Sequence, residues 1–315
     1  MQENKYKNSK ATIIVNTYNR SKILAERSLP SALNQTYKNF DVIIVDDCSK
    51  DDTEEIVKEF QKKYSDLRYI KQKGNKGLAA SRNTGARKAR GEYVVCLDDD
   101  DALDQKFLEI TVPVLDRLPK DFGGVGCGRK IIYPEAEIYS PPAHANQLYI
   151  SIDDGFLLRK SIFSKINYDE NLRWSEDADF GIQFFKNFKI HMIDKPLLLK
   201  YGHKIEASKK TDYFSFSFPS EQVLVDMQKY IDKNLPFFYE RRDKKEIAYI
   251  YRMAGRNYCW GGHMFKGISF LWRACVTRPV PRNILNLLMA LCGPFIYRYY
   301  LAFETRMIRL IRSRL

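Results

Sequence analysis

Apolar and polar residues alternate in short blocks over the first hundred positions. Ala11 to Val15 is rich in β-branched residues and bounded by Asn16, Tyr18 and Asn19, which predicts a buried strand. Ser21 to Leu33 places Ile23, Leu24, Leu29 and Leu33 at helical spacing, with Pro30 expected to bend or interrupt the helix. Phe40 to Val45 predicts a second strand ending in Asp46-Asp47. Thr53 to Tyr64 has Ile56, Val57 and Phe60 on one helical face. Leu67 to Ile70 predicts a third strand, Gly77 to Ala89 a helix closed by Gly91, and Glu92 to Leu97 a fourth strand. Strands alternating with helices at this spacing predict an α/β fold with a mostly parallel sheet covered on both faces.

From residue 102 to 205 the pattern is less regular. Phe122 to Cys127 and Lys130 to Tyr133 suggest two strands, and Pro134 to Asn146 a loop. Gly155 to Leu158 leads to a short helix at Lys160 to Ser164, and Glu176 to Lys186 reads as a helix. Ile190 to Ile193 and Pro196 to Tyr201 read as closing strands. From Glu221 the chain is mainly helical, with breaks near Gly261-Gly262, Pro279-Val280-Pro281 and Gly293-Pro294.

Composition changes this picture little. Apolar residues make up 44 % of the 315-residue chain and charged residues 29 %, as in ordinary globular proteins. The six cysteines form no C-x-x-C pair, which argues against a zinc site or a disulfide framework and fits a reducing cytosolic setting. The amino terminus lacks the apolar core of a signal peptide. No apolar run reaches the roughly 18–20 residues of a membrane span. The net charge of +13 is uneven: Glu240 to Leu315 holds 15 Lys and Arg against 4 Asp and Glu.

Charge matters most at Asp98-Asp99-Asp100-Asp101, directly after the fourth apolar run. Four adjacent carboxylates repel one another and become tolerable when a cation joins them. Mg²⁺ typically takes one or two protein carboxylates and fills its other positions with water and phosphate. The plainer alternative is a solvated acidic turn that caps the next helix. Ligands of parallel α/β sheets bind beyond the carboxyl ends of the strands, and Asn16–Asn19, Asp46–Ser49 and Asp98–Asp101 all fall at such ends.

Six segments in order carry a resemblance. They are Val15-Asn16-Thr17-Tyr18-Asn19-Arg20, Ser31 to Tyr37, and Val45-Asp46-Asp47-Cys48-Ser49 through Thr53. Asn75 to Asn83, the acidic run after Leu97, and Ser175-Glu176-Asp177-Ala178-Asp179 complete the set. Over residues 11–205 the chain resembles the family 2 glycosyltransferases of the GT-A fold, although proline is common in that family where Asn16 stands. The resemblance implies a catalytic domain over 11–215, with a nucleotide-binding half at 11–101 and an acceptor-binding half at 102–215. It leaves a flexible 1–10 before that domain and a basic helical region at 216–315 after it.

The resemblance also implies roles. Asn16, Tyr18 and Asn19 lie beside the nucleotide, and Asp47 accepts a base N–H; a capped turn is the alternative for Asp46 and Asp47. Arg82 grips the diphosphate, the alternative being a surface arginine. Asp98 and Asp99 belong to the donor side, with alternate residues facing opposite ways. Asp100 is the direct ligand of Mn²⁺ or Mg²⁺, and His203 closes over the metal although its spacing is one residue short. Asp177 is the general base of an inverting transfer, while Glu176 and Trp174 meet the acceptor. An acidic pair complementing a helix dipole is the alternative for Glu176-Asp177.

The expected activity is transfer of a hexosyl or hexosaminyl group, from a UDP-sugar, to a glycan or glycolipid hydroxyl in surface-polysaccharide synthesis. A sugar-phosphate nucleotidyltransferase would need a Gly-rich first loop, which is missing here. A catalytically silent scaffold is the other rival. The basic tail suits contact with anionic headgroups, hence a peripheral position on the cytoplasmic face of the inner membrane; a packed helical subdomain or a homo-oligomer interface stays open. No nucleic-acid motif accompanies the charge.

Overall fold

The computed structural model describes residues 9–133, 136–142, 152–202 and 220–312. It divides into two compact units: Met1–Glu170 with Glu176–Lys204, and Asn171–Ser175 with Ile205–Leu315.

The first unit starts with β1 (Ala11–Thr17), α1 (Ser21–Glu26), α2 (Ser28–Leu33), β2 (Phe40–Asp46), α3 (Thr53–Lys63) and β3 (Leu67–Lys71). It continues through α4 (Leu78–Lys88), β4 (Tyr93–Asp98), β5 (Ala102–Leu103), α5 (Phe107–Arg117), β6 (Phe122–Ile132) and β7 (Glu137–Ser140). After β8 (Leu157–Arg159) and a 3₁₀ turn at Lys160–Ser164 come α6 (Glu176–Asn187) and β9 (Lys189–Tyr201). The sheet order is β3-β2-β1-β4-β8-β6-β9-β5, with β7 on β6. Pairing is parallel from β3 to β4, as expected. Beyond β4 it is mixed, because β8 runs antiparallel to both β4 and β6.

Every residue of β1 is buried, which explains its unbroken apolar run: both faces are covered. Ile13 and Val15 join one core with Leu29 of α2, Val57 of α3 and Phe107 of α5. Ile14 points the other way, into a core with Ala86 of α4 and Phe180 and Phe184 of α6. On α4 the close approach is made by Gly85, where a Cβ would stand 2.2 Å from Cγ2 of Ile14.

Several expected boundaries moved. The first helical stretch breaks at Arg27 rather than at Pro30; Pro30 sits in the first turn of α2, where its missing N–H has no partner to lose. Gly91 does not close α4, which ends at Lys88. Instead Gly91 lies against β1, where a Cβ would meet the Ala11 carbonyl carbon at 2.6 Å. The two strands expected between Phe122 and Tyr133 are one, β6, and the two closing strands are also one, β9, which absorbs register shifts along β6.

The second unit is helical: α7 (Glu221–Glu240), α8 (Lys244–Trp260), α9 (Met264–Thr277), α10 (Pro281–Leu291) and α11 (Pro294–Arg312). Its breaks fall at the Gly and Pro positions noted above, plus one at Arg241–Asp243 where Arg242 takes φ +54°. Helices α8 and α9 approach through glycines, since a Cβ on Gly267 would lie 2.2 Å from Sγ of Cys259. Among the described residues no helix is long and apolar enough to cross a membrane.

Candidate active site

Register places the ends of three strands on one rim. Asn16 pairs with Asp98, and Thr17 with Asp46. Asp46 and Asp47 then diverge. Asp46 is fully buried and builds the turn: it accepts from the Ser49 N–H at 2.8 Å and from the Tyr69 hydroxyl at 2.5 Å. That is the capped-turn alternative, realised for Asp46. Asp47 reaches to the head of α4, accepting from the N–H groups of Lys76 and Gly77 at 2.7 and 2.8 Å and from Gln72 at 3.1 Å. Asn19, at φ +52°, ties the β1 loop to the β2 loop through the Lys50 N–H at 2.7 Å. Tyr18 is 40 % exposed.

Asn16 is buried, and neither its amide oxygen nor its amide nitrogen has a conventional partner; the Cys96 thiol lies against it. Buried amides are almost always satisfied, so this orphan is informative.

The four aspartates after β4 take separate partners. Asp98 accepts from Arg82 at 3.1 Å. Asp99 accepts from Thr17 at 2.9 Å and from Arg20 at 3.1 Å, and Arg20 also binds Asp100 at 2.7 Å. Asp101 does not cap the following helix; it faces Lys200 at 2.9 Å. Lys200 lies 3.1 Å from Asp154, while Asp153 accepts from Arg129 at 2.7 Å. The expectation of Asp100 as direct metal ligand therefore meets an Arg20 ion pair. Among the described residues, oxygens of Asp98, Asp101 and Asp154 come within 4.8 Å of one another. His203 lies outside the described residues.

Arg82 is no surface arginine. It is fully buried, bonded to Asp98 and, at 3.2 Å, to Glu176, with its guanidinium 5.3 Å above the ring of Tyr168. It thus links the end of β4 to the head of α6. Tyr168 is fixed in turn by stacking on Phe180 at 4.0 Å. Asp177, beside Glu176, is half-buried, and its carboxylate makes no hydrogen bond or salt bridge with a described residue. Trp174 is half-buried in the Asn171–Ser175 segment of the other unit.

Seven carboxylates (Asp98 to Asp101, Asp153, Asp154, Glu176) face four cationic side chains (Arg20, Arg82, Arg129, Lys200) in this network. Burial accordingly pushes several acids up. Burial and the nearby Asp154 raise Asp101 to about 9. Asp99 rises to about 6 and Glu176 to about 7, burial outweighing Arg20 and Arg82. The excess of hard oxygen donors fits a divalent cation such as Mg²⁺ or Mn²⁺.

A pH dependence follows. Glu176 holds its proton more tightly folded than unfolded, so its contribution to stability is full below about 4.5 and is lost as pH rises through about 7. The melting temperature of the metal-free protein should fall between pH 5 and pH 8, and Glu176→Gln should flatten that fall. A melting temperature that rises across this window would contradict the buried-acid account.

Sequence reasoning missed Arg20, Arg129, Asp153, Asp154 and Lys200. Asp153-Asp154 precedes Gly155, at φ +70°, and repeats the acidic-pair signal of Asp46-Asp47; it was the one legible clue. Of the cations, Arg20 stands in the first family-like segment without a role of its own, and Arg129 and Lys200 carry no sequence signal.

The family model for Glycosyl transferase family 2 matches residues 12–192. The poly(ribitol-phosphate) β-N-acetylglucosaminyltransferase TarP of Staphylococcus aureus is 32 % identical over 198 residues, 58 % of this chain and 60 % of TarP. Solved structures share the fold. S. aureus TarS residues 1–349 in complex with UDP superimposes with a TM-score of 0.62 at 20 % identity, covering 92 % of this chain and 89 % of that one. The Pyrobaculum calidifontis mannosyltransferase in complex with GDP-Man and Mn²⁺ gives 0.57 at 17 % identity, covering 97 % and 86 %.

Proposed function

The chain belongs to glycosyl transferase family 2 and has the GT-A fold, and from that premise we propose that it is an inverting, metal-dependent transferase. It moves a sugar from a nucleotide-sugar donor, UDP-linked, to a hydroxyl of a glycan or glycolipid in cell-surface polysaccharide synthesis. The observation that supports this reading is the rim itself: among the described residues, a buried Asn16 amide met only by the Cys96 thiol lies beside carboxylates that outnumber their cations.

The assigned roles follow the chemistry of the side chains. Asn16 offers its unsatisfied amide to the nucleotide, and the exposed ring of Tyr18 covers a face of the base. Asn19 and Asp47 shape the wall through their backbone partners. Asp98, Asp99 and Asp100 form the donor-side acidic edge, where Asp98 and Asp100 would hold Mn²⁺ or Mg²⁺. Bound there, the ion supplies positive charge that offsets the leaving diphosphate. Arg82 acts from behind, keeping Asp98 and Glu176 in place. Asp177 takes the acceptor proton. A carboxylate can do so from a low resting pKa because the hydroxyl acidifies as it attacks. Glu176, and Trp174 two residues earlier, are proposed to meet the acceptor.

TarP's name and TarS's bound UDP support the UDP and surface-glycan choice, while the GDP-Man complex marks the base as the point to test. A thermal-shift panel of nucleotide sugars with and without Mn²⁺ does this. The cognate donor at about a hundred times its Kd should raise the melting temperature by about 5–10 °C, only with metal present. A chain indifferent to every nucleotide sugar in either metal would be a silent scaffold.

A further inference from the structure

Helix α10 buries a mixed face, Leu287 and Ala290 in an apolar core together with two asparagines. Asn283 donates to the Arg278 carbonyl at 2.8 Å, and Asn286 accepts from the Tyr297 hydroxyl at 3.1 Å. These bonds fix which side faces the core. The opposite face carries Leu285, Leu288 and Leu291, with Leu288 54 % exposed. The neighbouring helices repeat the theme, with Phe295 (84 % exposed) and Tyr299 one turn apart on α11 and Trp272 on α9. Large exposed apolar surface of this kind marks an interaction site.

Charge selects the occupant. From Met264 to Glu304 the chain carries Lys266, Arg273, Arg278, Arg282 and Arg298, and one acid. That acid, Glu304, is taken by Arg256 at 2.7 Å and Arg282 at 3.2 Å. A second copy of the chain would bring two net-positive segments together across a two-fold axis. Anionic headgroups would meet a complementary surface, with leucines and aromatics entering the acyl boundary.

We propose that α9–α11 dock the chain on an anionic lipid bilayer, with the leucine face of α10 in the interface plane. The docking sharpens the proposed lipid-linked acceptor and rests on that reading for its purpose, but it is tested without any sugar donor, so either can fail alone.

The test is flotation of the full chain with phosphatidylcholine vesicles, with and without phosphatidylglycerol. The chain should float with the anionic vesicles, less at high salt. Leu285→Glu/Leu288→Glu should weaken apparent vesicle affinity by at least about tenfold while leaving the melting temperature unchanged, because both side chains already face solvent. Equal flotation of wild type and variant, or equal flotation on neutral vesicles, would overturn the proposal. So would a chain that does not float. An oligomer dissociated by the same substitutions, seen by light scattering, would assign the face to a second copy instead.

Discussion

Asp177→Asn is expected to reduce transfer by about 10²–10⁴-fold in kcat while leaving donor affinity within about a factor of two. Asp177 stands at the head of α6, half-buried and with no side-chain hydrogen bond among the described residues, beside Glu176, whose burial keeps its proton up to about 7. The two adjacent acids thus differ in environment, Glu176 being buried against Arg82 and Asp177 half-buried. The amide preserves volume and polarity, so the rim at the ends of β1, β2 and β4, the proposed donor site, should be undisturbed. Single-turnover transfer and donor titration, measured together on the variant, check this. Near-normal turnover would remove Asp177 from the chemistry, and lost donor binding would make it a structural residue.

The largest stability effect is expected at Arg82. Replacing it with Met keeps much of the bulk but strands Asp98 and Glu176 without their cation. Breaking a buried pair from one side destabilises by about 3–5 kcal/mol, because the remaining charge is uncompensated. The melting temperature should fall by roughly 10 °C or more. Arg82→Lys should recover only part of this, since one ammonium cannot span two carboxylates as a planar fork does. Thermal unfolding at pH 8, where Glu176 is ionised, shows the effect most clearly, and at pH 5 the loss should shrink. A variant as stable as wild type at pH 8 would mean that Arg82 links nothing.

The fold of residues 11–101 was legible because β1, β2 and β4 are buried on both faces. Unbroken runs such as Ala11–Val15 and Tyr93–Leu97 leave few alternatives to central parallel strands, and polar residues at their ends mark the rim. The breaks between the C-terminal helices were legible for a different reason: Gly262 and Gly293 take positive φ, and Pro281 and Pro294 open helices. What stayed hidden depends on distant pairing. Nothing near Lys200 in sequence reveals that it faces Asp101 and Asp154, and nothing near Arg82 announces that Glu176 lies beside it. The single β6 and β9 look like fragments in sequence because glycines and charges interrupt their apolar pattern. Nor could periodicity show that α10 turns Leu285, Leu288 and Leu291 outward while burying Leu287. An amphipathic stripe says that a helix has two faces and is silent on which one the fold buries.

The central claim is that the acids after β4 gather a cation beside a nucleotide diphosphate. Anomalous scattering at the manganese edge, from crystals grown with UDP and Mn²⁺, tests it most directly. The account predicts one strong peak between the diphosphate and the carboxylates of Asp98 and Asp100, with Arg20 drawn off Asp100. A nucleotide bound at the Asn16 rim with no manganese near those carboxylates, or manganese held elsewhere on the chain, would contradict it.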